Sequence, residues 1–432
     1  MNSQASHLFD AMQHRRDVGA GRHSVEARTA GWAPATLERL LRRLVQIGSL
    51  RVILPDGGSI TAGDGASGDT IVVRIRNQGA LRRLVLNPDL ALGESYVAGE
   101  LIVERGTLWD FLDLMGRNLA ARPMRPAGPV ARLRGRIAQA NGRDAARRHV
   151  AHHYDLSLDL YRRFLDQDWQ YSCAYFERPD MTLEEAQAAK KQHIAAKLLL
   201  QPGQRLLDIG CGWGGLALTL AEATGVRATG VTLSREQLAV AQSRARERGL
   251  ADRVDFRLED YRDLEGCFDR IVSVGMFEHV GKPNYQAYFD AIARLLAKDG
   301  VALVHAIGHV QVTGSSAPWI EKYIFPGGYI AALSEVLPAI ERAGLWVTDI
   351  EILRLHYAQT LQAWRARFAA HRGEIAAIYD ERFCRMWEFY LAISEIAFRY
   401  RGCMVFQIQL AKRVDAAPIT RDYMQARVLG VG

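Results

Sequence analysis

The sequence predicts an α/β fold, in which helices cover both faces of a mostly parallel sheet, joined to a smaller α+β domain. With 432 residues, the chain is too long for one ordinary core and suits two domains. Beyond residue 151, apolar strand-like runs alternate with helical stretches, which is typical of parallel sheets buried on both faces. We therefore expect an N-terminal domain over residues 1–120, a linker over 121–150 and the larger domain over 151–432.

The N-terminal domain begins with a basic amphipathic helix, predicted over residues 37–47. Leucines recur on one face of this stretch and arginines occupy the other. Such a helix either packs on its own domain with a solvated arginine face or lies on a membrane surface, and the pattern leaves both interpretations open. Short strands are then predicted over residues 51–54, 70–76 and 84–86, and a helix over 108–114.

The larger domain carries seven predicted strands with helices between them. The strands are expected over residues 205–209, 228–233, 254–258, 270–274, 301–307, 347–353 and 405–410. The helices are expected over residues 216–223, 235–248, 285–296 and 330–343. A long helical stretch over 374–400 precedes the last strand, which indicates an insertion or an extended final crossover.

The chain is moderately basic, with a net charge of +7. Between Arg122 and Arg148 there are eight arginines and a single acid, Asp144. This concentration of charge is compatible with anionic lipid surfaces or with nucleic acid. We therefore interpret the segment as a basic linker that can also contact anionic phospholipid head groups.

Cysteine usage and the first residues indicate the compartment. Five cysteines without a CxxC pair suggest reduced thiols, with neither a disulfide framework nor a zinc site. His152 and His153 are adjacent, but no further ligands follow at metal-binding spacing, so we expect no metal. The start of the chain lacks the apolar run of a signal peptide, and no stretch approaches the length of a membrane-spanning helix. We therefore expect a cytoplasmic protein.

Residues 206–215 (LLDIGCGWGG) combine an apolar strand, an acid and a glycine-rich turn that opens a helix. A Rossmann dinucleotide loop is the main alternative, but its G-x-G-x-x-G spacing suits a pyrophosphate at a helix N-terminus. Here Asp208 precedes G-x-G-x-G. Because S-adenosylmethionine carries an ammonium and a sulfonium but no phosphate, a carboxylate at the strand end favours that cofactor.

The ends of the next two strands supply further candidate contacts. A dehydrogenase would place an acid after the second strand, whereas this chain offers Thr232 and Gln237 as hydrogen-bonding groups for ribose hydroxyls. After the third strand, Tyr261 and its polar neighbour Arg262 are candidates to bracket the adenine. Tyr261 taken alone fits an ordinary surface aromatic equally well.

Seven ordered segments of the larger domain resemble the cyclopropane-fatty-acyl-phospholipid synthases and the related mycolic acid cyclopropane synthases. They are HYDL at 153–156, QYSCAYF at 170–176, LDIGCGWGG at 207–215, VTLS at 231–234, DYRDL at 260–264, RIVSVGMFEHVG at 270–281 and WIEKYIFP at 319–326. In addition, LGESYVAGE at 92–100 resembles the N-terminal domain of the phospholipid-type enzymes, which the mycolic acid enzymes lack. The resemblance therefore favours an intact phospholipid as the substrate.

The resemblance implies a Rossmann-like class I methyltransferase fold with a mixed seven-stranded sheet, and it implies two groups of site residues. The cofactor-binding group is Tyr171, Ser172, Asp208, Gly210, Gly212, Gly214, Thr232, Leu233, Ser234, Gln237, Tyr261 and Arg262. The catalytic group would hold a bicarbonate ion and comprises Cys173, Glu278, His305, the backbone of Ile307 and Tyr357. Taken singly, His305, Glu278 and Cys173 also fit ordinary structural roles. The ordered set of motifs favours the functional interpretation.

These residue types suit the implied reaction. An alkene that attacks a sulfonium methyl becomes a carbocation, and a very acidic proton then leaves the new methyl group before the ring closes. The site therefore needs only a weak base, and it must exclude water and competing nucleophiles. Aromatic side chains provide apolar walls for the acyl chain and face a cation favourably, and the candidates are Tyr175, Phe277, Trp319, Tyr323 and Phe325.

One departure from the family pattern concerns the product. The region near Ser394, which Glu395 follows, resembles one where many relatives carry a cysteine once regarded as catalytic, and a serine cannot act as a thiolate nucleophile. Because the mechanism described above needs no covalent cysteine, this departure concerns the product more than the type of reaction. The first alternative is therefore a related enzyme that leaves a methyl- or methylene-branched chain. A nucleic-acid methyltransferase that uses the basic segment and a catalytically silent lipid-binding protein are more distant alternatives.

The resemblance also implies partners. We expect a membrane phospholipid with an unsaturated acyl chain as substrate, and peripheral contact with the anionic inner face of the membrane. Residues 1–120 would then form a lipid-binding or accessory domain. The phospholipid-type relatives imply a homodimer, and no nucleic-acid partner is expected.

Overall fold

The computed structural model describes residues 31–65, 68–122, 157–312 and 317–425, which fall into two compact units. The first unit comprises Met1–Ala131, Ala317–Ile324 and Ala369–Arg401, and the second comprises the remaining segments. Most of the predicted basic linker, His152, His153 and the HYDL motif lie outside the described residues.

The helices and strands are numbered in chain order. The helices are α1 (Trp32–Leu44), α2 (Gln78–Leu86), α3 (Pro88–Val97), α4 (Leu108–Ala120), α5 (Leu158–Phe164), α6 (Leu183–Leu198), α7 (Gly215–Thr224), α8 (Arg235–Glu247), α9 (Tyr285–Leu295), α10 (Pro318–Tyr323), α11 (Leu333–Arg342), α12 (His356–Ala370), α13 (Arg372–Ile378) and α14 (Glu381–Tyr400). The strands are β1 (Ser49–Ile53), β2 (Ser59–Gly63), β3 (Ile71–Ile75), β4 (Leu101–Arg105), β5 (Arg205–Ile209), β6 (Arg227–Thr232), β7 (Val254–Leu258), β8 (Phe268–Val274), β9 (Leu296–His309), β10 (Ala331–Ala332), β11 (Trp346–Leu353) and β12 (Cys403–Ala411).

The first unit is built on a four-stranded sheet in the order β2-β1-β3-β4. Strand β1 pairs antiparallel with β2 and parallel with β3, and β3 pairs antiparallel with β4. The prediction of a strand over residues 84–86 is wrong, because these residues end helix α2. The Asn77 side chain caps that helix by accepting a hydrogen bond from the Ala80 backbone N–H at 2.8 Å. Ala80, Leu81 and Leu84 then form its buried face.

Helix α3 contains the LGESY motif and packs against two helices that come much later in the chain. At Gly93, an added Cβ would lie 2.4 Å from Nε1 of Trp319 in α10 and 2.8 Å from Cε1 of Phe389 in α14. The Glu94 carboxylate accepts hydrogen bonds from Lys322 at 2.7 Å and from the Tyr323 hydroxyl at 2.8 Å. Residues 317–324 and 369–401, which the sequence analysis included in the larger domain, thus complete the core of the first unit.

The second unit contains a mixed sheet in the order β11-β12-β9-β8-β5-β6-β7, and the short β10 pairs with β9. Strands β9, β8, β5, β6 and β7 run parallel, whereas β12 is antiparallel to both β9 and β11. All seven predicted strands are present, so the predicted α/β fold with a mixed seven-stranded sheet is confirmed. The two-residue strand β10 was not predicted.

Helices cover both faces of this sheet. On β5, Leu206 packs with Ile194 of α6 and Leu216 of α7. Its neighbour Leu207 points to the other face and packs with residues of α9 and α11 such as Phe289. Burial on both sides explains why the strand reads as a continuous apolar run. Among the described residues, no helix is long and apolar enough to span a membrane.

The close packing at Gly93 gives a first prediction. We expect Gly93→Ala to destabilise the protein by about 1–3 kcal/mol, because the new methyl group would force Trp319 and Phe389 to shift. Chemical denaturation would measure the change in the free energy of unfolding. Gly373→Ala is the matched control, since Gly373 also lies in a helix but has no atom within 4 Å of an added Cβ. Equal stability of the two variants would contradict this packing.

Candidate functional site

A cleft lies at the carboxyl ends of the parallel strands β5, β6, β7 and β8. This is where open α/β sheets bind ligands, because the loops that follow neighbouring strands converge there. Of the predicted cofactor residues, those that line the cleft are Tyr171, Ser172, Asp208, Gly210, Gly212, Thr232, Leu233, Gln237, Tyr261 and Arg262. Gly214 and Ser234 do not line it.

The glycine-rich turn after β5 allows the backbone to bend into the cleft. Gly210 has a φ of 83°, and a Cβ there would lie 2.9 Å from the Cβ of Met276. Gly214, with a φ of 81°, precedes α7, and a Cβ there would lie 2.6 Å from Phe256. Gly214 therefore serves the packing of α7 instead of the cleft surface.

Asp208 is a buried carboxylate that lines the cleft. It is 2% exposed, and its Oδ2 has no hydrogen-bond partner among the described residues. Burial raises the pKa of Asp208 to about 7, although the charge of Lys190 partly offsets this effect. A cationic group in the cleft would restore the ionised form. The orphaned carboxylate therefore fits the ammonium or sulfonium of S-adenosylmethionine.

The segment after β6 is held by its own hydrogen bonds. The Thr232 hydroxyl donates to Oε1 of Gln237 at 2.8 Å, so the amide nitrogen of this cleft-lining glutamine stays available as a donor. The Ser234 hydroxyl accepts from the Gln237 backbone N–H at 3.2 Å. Ser234 is thus the N-cap of α8, which explains why it does not reach the cleft.

Tyr261 and Arg262 follow β7 and differ in what they can offer a ligand. The Arg262 guanidinium donates to both carboxylate oxygens of Asp260, at 2.8 and 2.5 Å. This bidentate pair already engages the Arg262 head group. The Tyr261 ring packs edge-on against Tyr288 with centroids 5.4 Å apart, and it lines the cleft. Tyr261 is therefore the residue that presents an aromatic surface for a base.

The Tyr171–Ser172 wall of the cleft depends on residues that the sequence analysis missed. The fully buried Lys190 of α6 donates to Oε1 of Gln170 at 2.6 Å and to the Ser172 hydroxyl at 2.9 Å. Burial lowers the pKa of Lys190 to about 8. Gln187, one turn earlier on α6, donates to the Ser172 carbonyl at 3.0 Å. Nothing in the sequence distinguishes these two residues from solvated helix positions.

Trp169, Met276 and His279 are further cleft-lining residues that the sequence analysis did not identify. Trp169 has a φ of 57°, which is unusual for a residue with a bulky side chain. Arg162 and Arg244 place their guanidinium carbons 4.9 and 4.8 Å from its ring centroid. The only available signal for Trp169 was its position directly before the QYSCAYF motif.

A second polar group comprises Glu278, the Ile307 backbone that it contacts, and His305, which lies two residues earlier on β9. The Ile307 backbone N–H donates to Oε1 of Glu278 at 2.6 Å, and Oε2 of Glu278 has no partner among the described residues. Burial raises the pKa of Glu278 to about 7 and lowers that of His305 to about 3. The histidine is therefore neutral. The backbone donor that the resemblance assigned to a bound ion is already used by Glu278.

Cys173 and Tyr357 lie on segments that a hydrogen bond joins. The backbone N–H of Ala174 donates to the Thr360 hydroxyl at 3.0 Å, and Thr360 lies one turn after Tyr357 on α12. Cys173 is 1% exposed, and burial raises the pKa of its thiol well above the usual range. This thiol stays protonated and is not a nucleophile at neutral pH.

The predicted aromatic wall residues do not share one environment. Phe277 is 1% exposed and packs among Tyr285, Tyr288 and Phe289, so it belongs to the core of the second unit. Tyr175 also lies in the second unit, stacked between two histidine rings. The remaining three candidates are divided between the units, with Trp319 and Tyr323 in the first and Phe325 in the second.

Ser394 and Glu395 lie on α14 in the first unit. Glu395 is fully buried and its carboxylate accepts a hydrogen bond from Arg399 at 2.7 Å. Among the described residues, no group of histidine, cysteine and acidic side chains could hold a metal ion.

Comparison with known proteins gives a consistent result. The family model for mycolic acid cyclopropane synthetase matches residues 141–408. The chain is 40% identical over 344 residues to the cyclopropane-fatty-acyl-phospholipid synthase of Escherichia coli strain K12. This alignment covers 79% of this chain and 88% of the relative. The chain is also 36% identical over 405 residues to the tuberculostearic acid methyltransferase UfaA1 of Mycobacterium tuberculosis. That alignment covers 89% of this chain and 92% of the relative.

Solved structures agree with these relatives. The cyclopropane synthase MmaA2 from Mycobacterium tuberculosis matches with a TM-score of 0.59 and 36% identity, covering 62% of this chain and 98% of that protein. The mycolic acid cyclopropane synthase CmaA1, in complex with SAH and CTAB, matches with a TM-score of 0.58 and 36% identity, covering 61% and 97%. Coclaurine N-methyltransferase, at 22% identity and a TM-score of 0.61, shows the fold alone.

The raised pKa of Asp208 gives a second prediction. Binding of a cation requires the ionised carboxylate, so binding of S-adenosylmethionine should release a proton at pH 6, and the affinity should rise up to about tenfold per pH unit until pH 7. Isothermal titration calorimetry in buffers of different ionisation enthalpy measures both quantities. In Asp208→Asn we expect weak binding without proton release, whereas the exposed control Asp255→Asn should behave as the wild type. Binding by Asp208→Asn at wild-type affinity would refute this role.

Proposed function

We propose that this chain, which belongs to the mycolic acid cyclopropane synthetase family of S-adenosylmethionine-dependent methyltransferases, converts the cis double bond of an unsaturated phospholipid acyl chain into a cyclopropane. The observation that carries the proposal is the 40% identity to the Escherichia coli phospholipid synthase, which extends over 79% of the chain. Asp208 is buried in the cleft, and its Oδ2 has no hydrogen-bond partner among the residues that the structure describes, which supports S-adenosylmethionine as the cofactor on independent physical grounds.

The residues of the cleft fit S-adenosylmethionine, which when bound supplies an electrophilic methyl group. Asp208 would stabilise its positive charge, and its own ionised form would be stabilised in return. The amide nitrogen of Gln237, directed by Thr232, would donate to a ribose hydroxyl. The ring of Tyr261 would contact the adenine. None of these groups is a strong nucleophile that could intercept the methyl group.

The second polar group fits a small anion such as bicarbonate, which would supply a weak base. Neutral His305 has a ring N–H to donate, and below pH 7 the protonated Glu278 has a free O–H at Oε2. The Tyr357 hydroxyl completes the predicted donors. A set of neutral donors can hold an anion while the surroundings stay poor in nucleophiles, because the Cys173 thiol also stays protonated. A carbocation on the acyl chain would then lose a proton without being trapped.

The surface of α1 supports the proposed peripheral contact with the anionic inner face of the membrane. Leu41 and Leu44 are buried against their own unit, so the helix packs there. Its other face exposes Arg42, Arg43 and, at its start, Trp32, which is 53% exposed. Exposed arginines and an interfacial tryptophan suit anionic head groups. Residues 1–120, completed by residues 317–324 and 369–401, are accordingly proposed as the lipid-binding domain, with catalysis in the second unit. The resemblance to the phospholipid-type enzymes favours a cytoplasmic homodimer.

A second candidate function is methylation that ends in a methyl-branched chain. The 36% identity to the tuberculostearic acid methyltransferase over 89% of this chain favours it. In both reactions the first step and the cofactor site are the same. They differ only in which proton the carbocation loses: one from the new methyl group, with ring closure, or one from a neighbouring carbon, directly or after a hydride shift, which leaves an unsaturated methyl- or methylene-branched chain.

The product distinguishes the two candidates. Purified protein with S-adenosylmethionine and vesicles of cis-unsaturated phospholipid should yield acyl chains one methylene heavier. Proton NMR should show the upfield methylene signals that only a ring gives. A branched-chain spectrum would favour the second candidate, and the absence of any mass gain would refute both.

Glu278→Ala provides the site-directed test of the same reaction, because it removes the donor that is proposed to hold the anion. We expect it to lower turnover by about 10²- to 10³-fold, the range for removal of one preorganised hydrogen-bond donor, while cofactor binding persists. Glu265→Ala, at an exposed position, is the matched control and should keep full activity. Wild-type turnover by Glu278→Ala would exclude this residue from the reaction.

Depletion of bicarbonate tests the anion directly. Carbon-dioxide-free buffer should lower turnover of the wild type, and added bicarbonate should restore it. The affinity for S-adenosylmethionine, measured by calorimetry, should stay unchanged because the two groups of residues are separate. Full turnover in depleted buffer would contradict the anion site and leave the methyl transfer itself untouched.

A further inference from the structure

Three side chains form a row across the sheet of the second unit. Glu351 on β11 lies opposite Gln407 on β12, and Gln407 lies opposite His305 on β9. Residues that are direct partners in adjacent strands project from the same face of a sheet. Gln407 is fully buried and His305 is 2% exposed. The row therefore extends from the partly exposed carboxylate of Glu351, through Gln407, to the predicted catalytic residue His305.

Lys197 of α6 covers this row and fixes the orientation of Gln407. Its ammonium lies 2.8 Å from Oε1 of Gln407 and also contacts the Glu351 carboxylate. Burial opposes ionisation of Glu351, yet hydrogen bonds from His193 and Lys197 lower its pKa to about 2. An ammonium can only donate hydrogen bonds. The amide oxygen of Gln407 therefore faces Lys197, and its NH₂ group faces His305.

This orientation determines which nitrogen of His305 carries the proton. Nε2 of Gln407 lies 3.1 Å from Nδ1 of His305, and since the amide nitrogen donates, Nδ1 accepts. The pKa of His305, lowered to about 3 by burial, keeps the ring neutral. A neutral imidazole with an accepting Nδ1 carries its hydrogen on Nε2. No hydrogen bond to Nε2 occurs among the residues that the structure describes.

We propose that Gln407, oriented by Lys197, is a positioning residue that holds His305 as the Nε2–H tautomer, so that the ring presents a donor to the anion. The inference rests on the proposed function, in which His305 helps to hold a small anion. The opposite tautomer would set the Nδ1–H against the NH₂ of Gln407 and turn a lone pair towards the anion. Rotation of the amide would relieve that conflict only by setting its NH₂ against Lys197. Either orientation of the amide thus leaves one buried donor–donor contact, which disfavours the wrong tautomer.

Gln407→Glu is the decisive substitution, because it keeps the size of the side chain and the contact with Lys197 but replaces the donor by an acceptor. His305 should then carry its hydrogen on Nδ1. Histidine ¹⁵N NMR reads the tautomer directly, and His305→Asn identifies the signal. We expect the Nε2–H pattern in the wild type and its loss in Gln407→Glu. A wild-type Nδ1–H pattern would overturn the inference.

The kinetic effect should follow the tautomer. Gln407→Glu should lower kcat about 10- to 100-fold, the range for groups that orient a functional histidine, with the KM for S-adenosylmethionine unchanged. Gln409→Glu is the matched control. Gln409 lies two residues along β12, is 1% exposed and donates to the Lys197 carbonyl at 2.6 Å, and none of the hydrogen bonds described for it reaches His305. An equal loss of kcat in both variants, with the Nε2–H pattern kept in both, would reduce Gln407 to a structural role.

Failure of this inference is distinguishable from failure of the proposed function. The tautomer is measured on the protein without substrate, so it does not depend on whether a cyclopropane forms. If the wild type makes product without bicarbonate while His305 is the Nε2–H tautomer, the anion is refuted and the positioning by Gln407 stands. If product formation needs bicarbonate but Gln407→Glu keeps both tautomer and kcat, the positioning role is refuted alone.

Discussion

A lysine that is buried away from water needs hydrogen-bond acceptors, because an unpaired charge in the interior costs several kcal/mol. Helix α6 carries two such lysines, Lys190 and Lys197, seven residues apart on one face and both fully buried. Lys190 takes acceptors from the Gln170–Ser172 segment, and Lys197 takes them from Gln407 and Glu351. The cofactor wall and the proposed anion site are therefore built against the same helix face. A displacement of α6 would disturb both at once.

Two carboxyl groups with the same raised pKa, about 7, have opposite tasks in this arrangement. Asp208 faces a cleft that is complementary to a cation, whose arrival would ionise it. Glu278 belongs to the group that is proposed to hold an anion, and its protonated form is the one that suits that role. Desolvation alone prepares both groups, and the charge of the neighbouring ligand then decides which protonation state prevails. A strong base or nucleophile is absent from the groups described for this site, which agrees with chemistry through a carbocation.

The sequence predicted the fold of the second unit well because its strands are buried on both faces. Strands at 205–209 and 254–258 match the structure to the residue, since apolar runs bounded by turns identify them. The run at 84–86 was too short to distinguish a strand from the end of a helix. Lys190 and Lys197 were missed because a buried lysine and a solvated one look the same in sequence. Gln407 follows Lys197 by 210 positions, and only the register of β12 brings it to His305.

The first unit draws its core from distant parts of the chain, and this has a consequence for biosynthesis. Helix α4 packs against α14 at Gly116, where an added Cβ would lie 2.7 Å from the Tyr400 ring. The Tyr400 hydroxyl also donates a hydrogen bond to the Asp113 carboxylate at 2.7 Å. These partners leave the ribosome some 287 residues after Asp113. The N-terminal sheet and its helices therefore emerge first and are completed late. Until then the apolar surfaces that α14 covers are open to chaperones or to other nascent chains, so the part of the first unit that is synthesised first can complete its core only late.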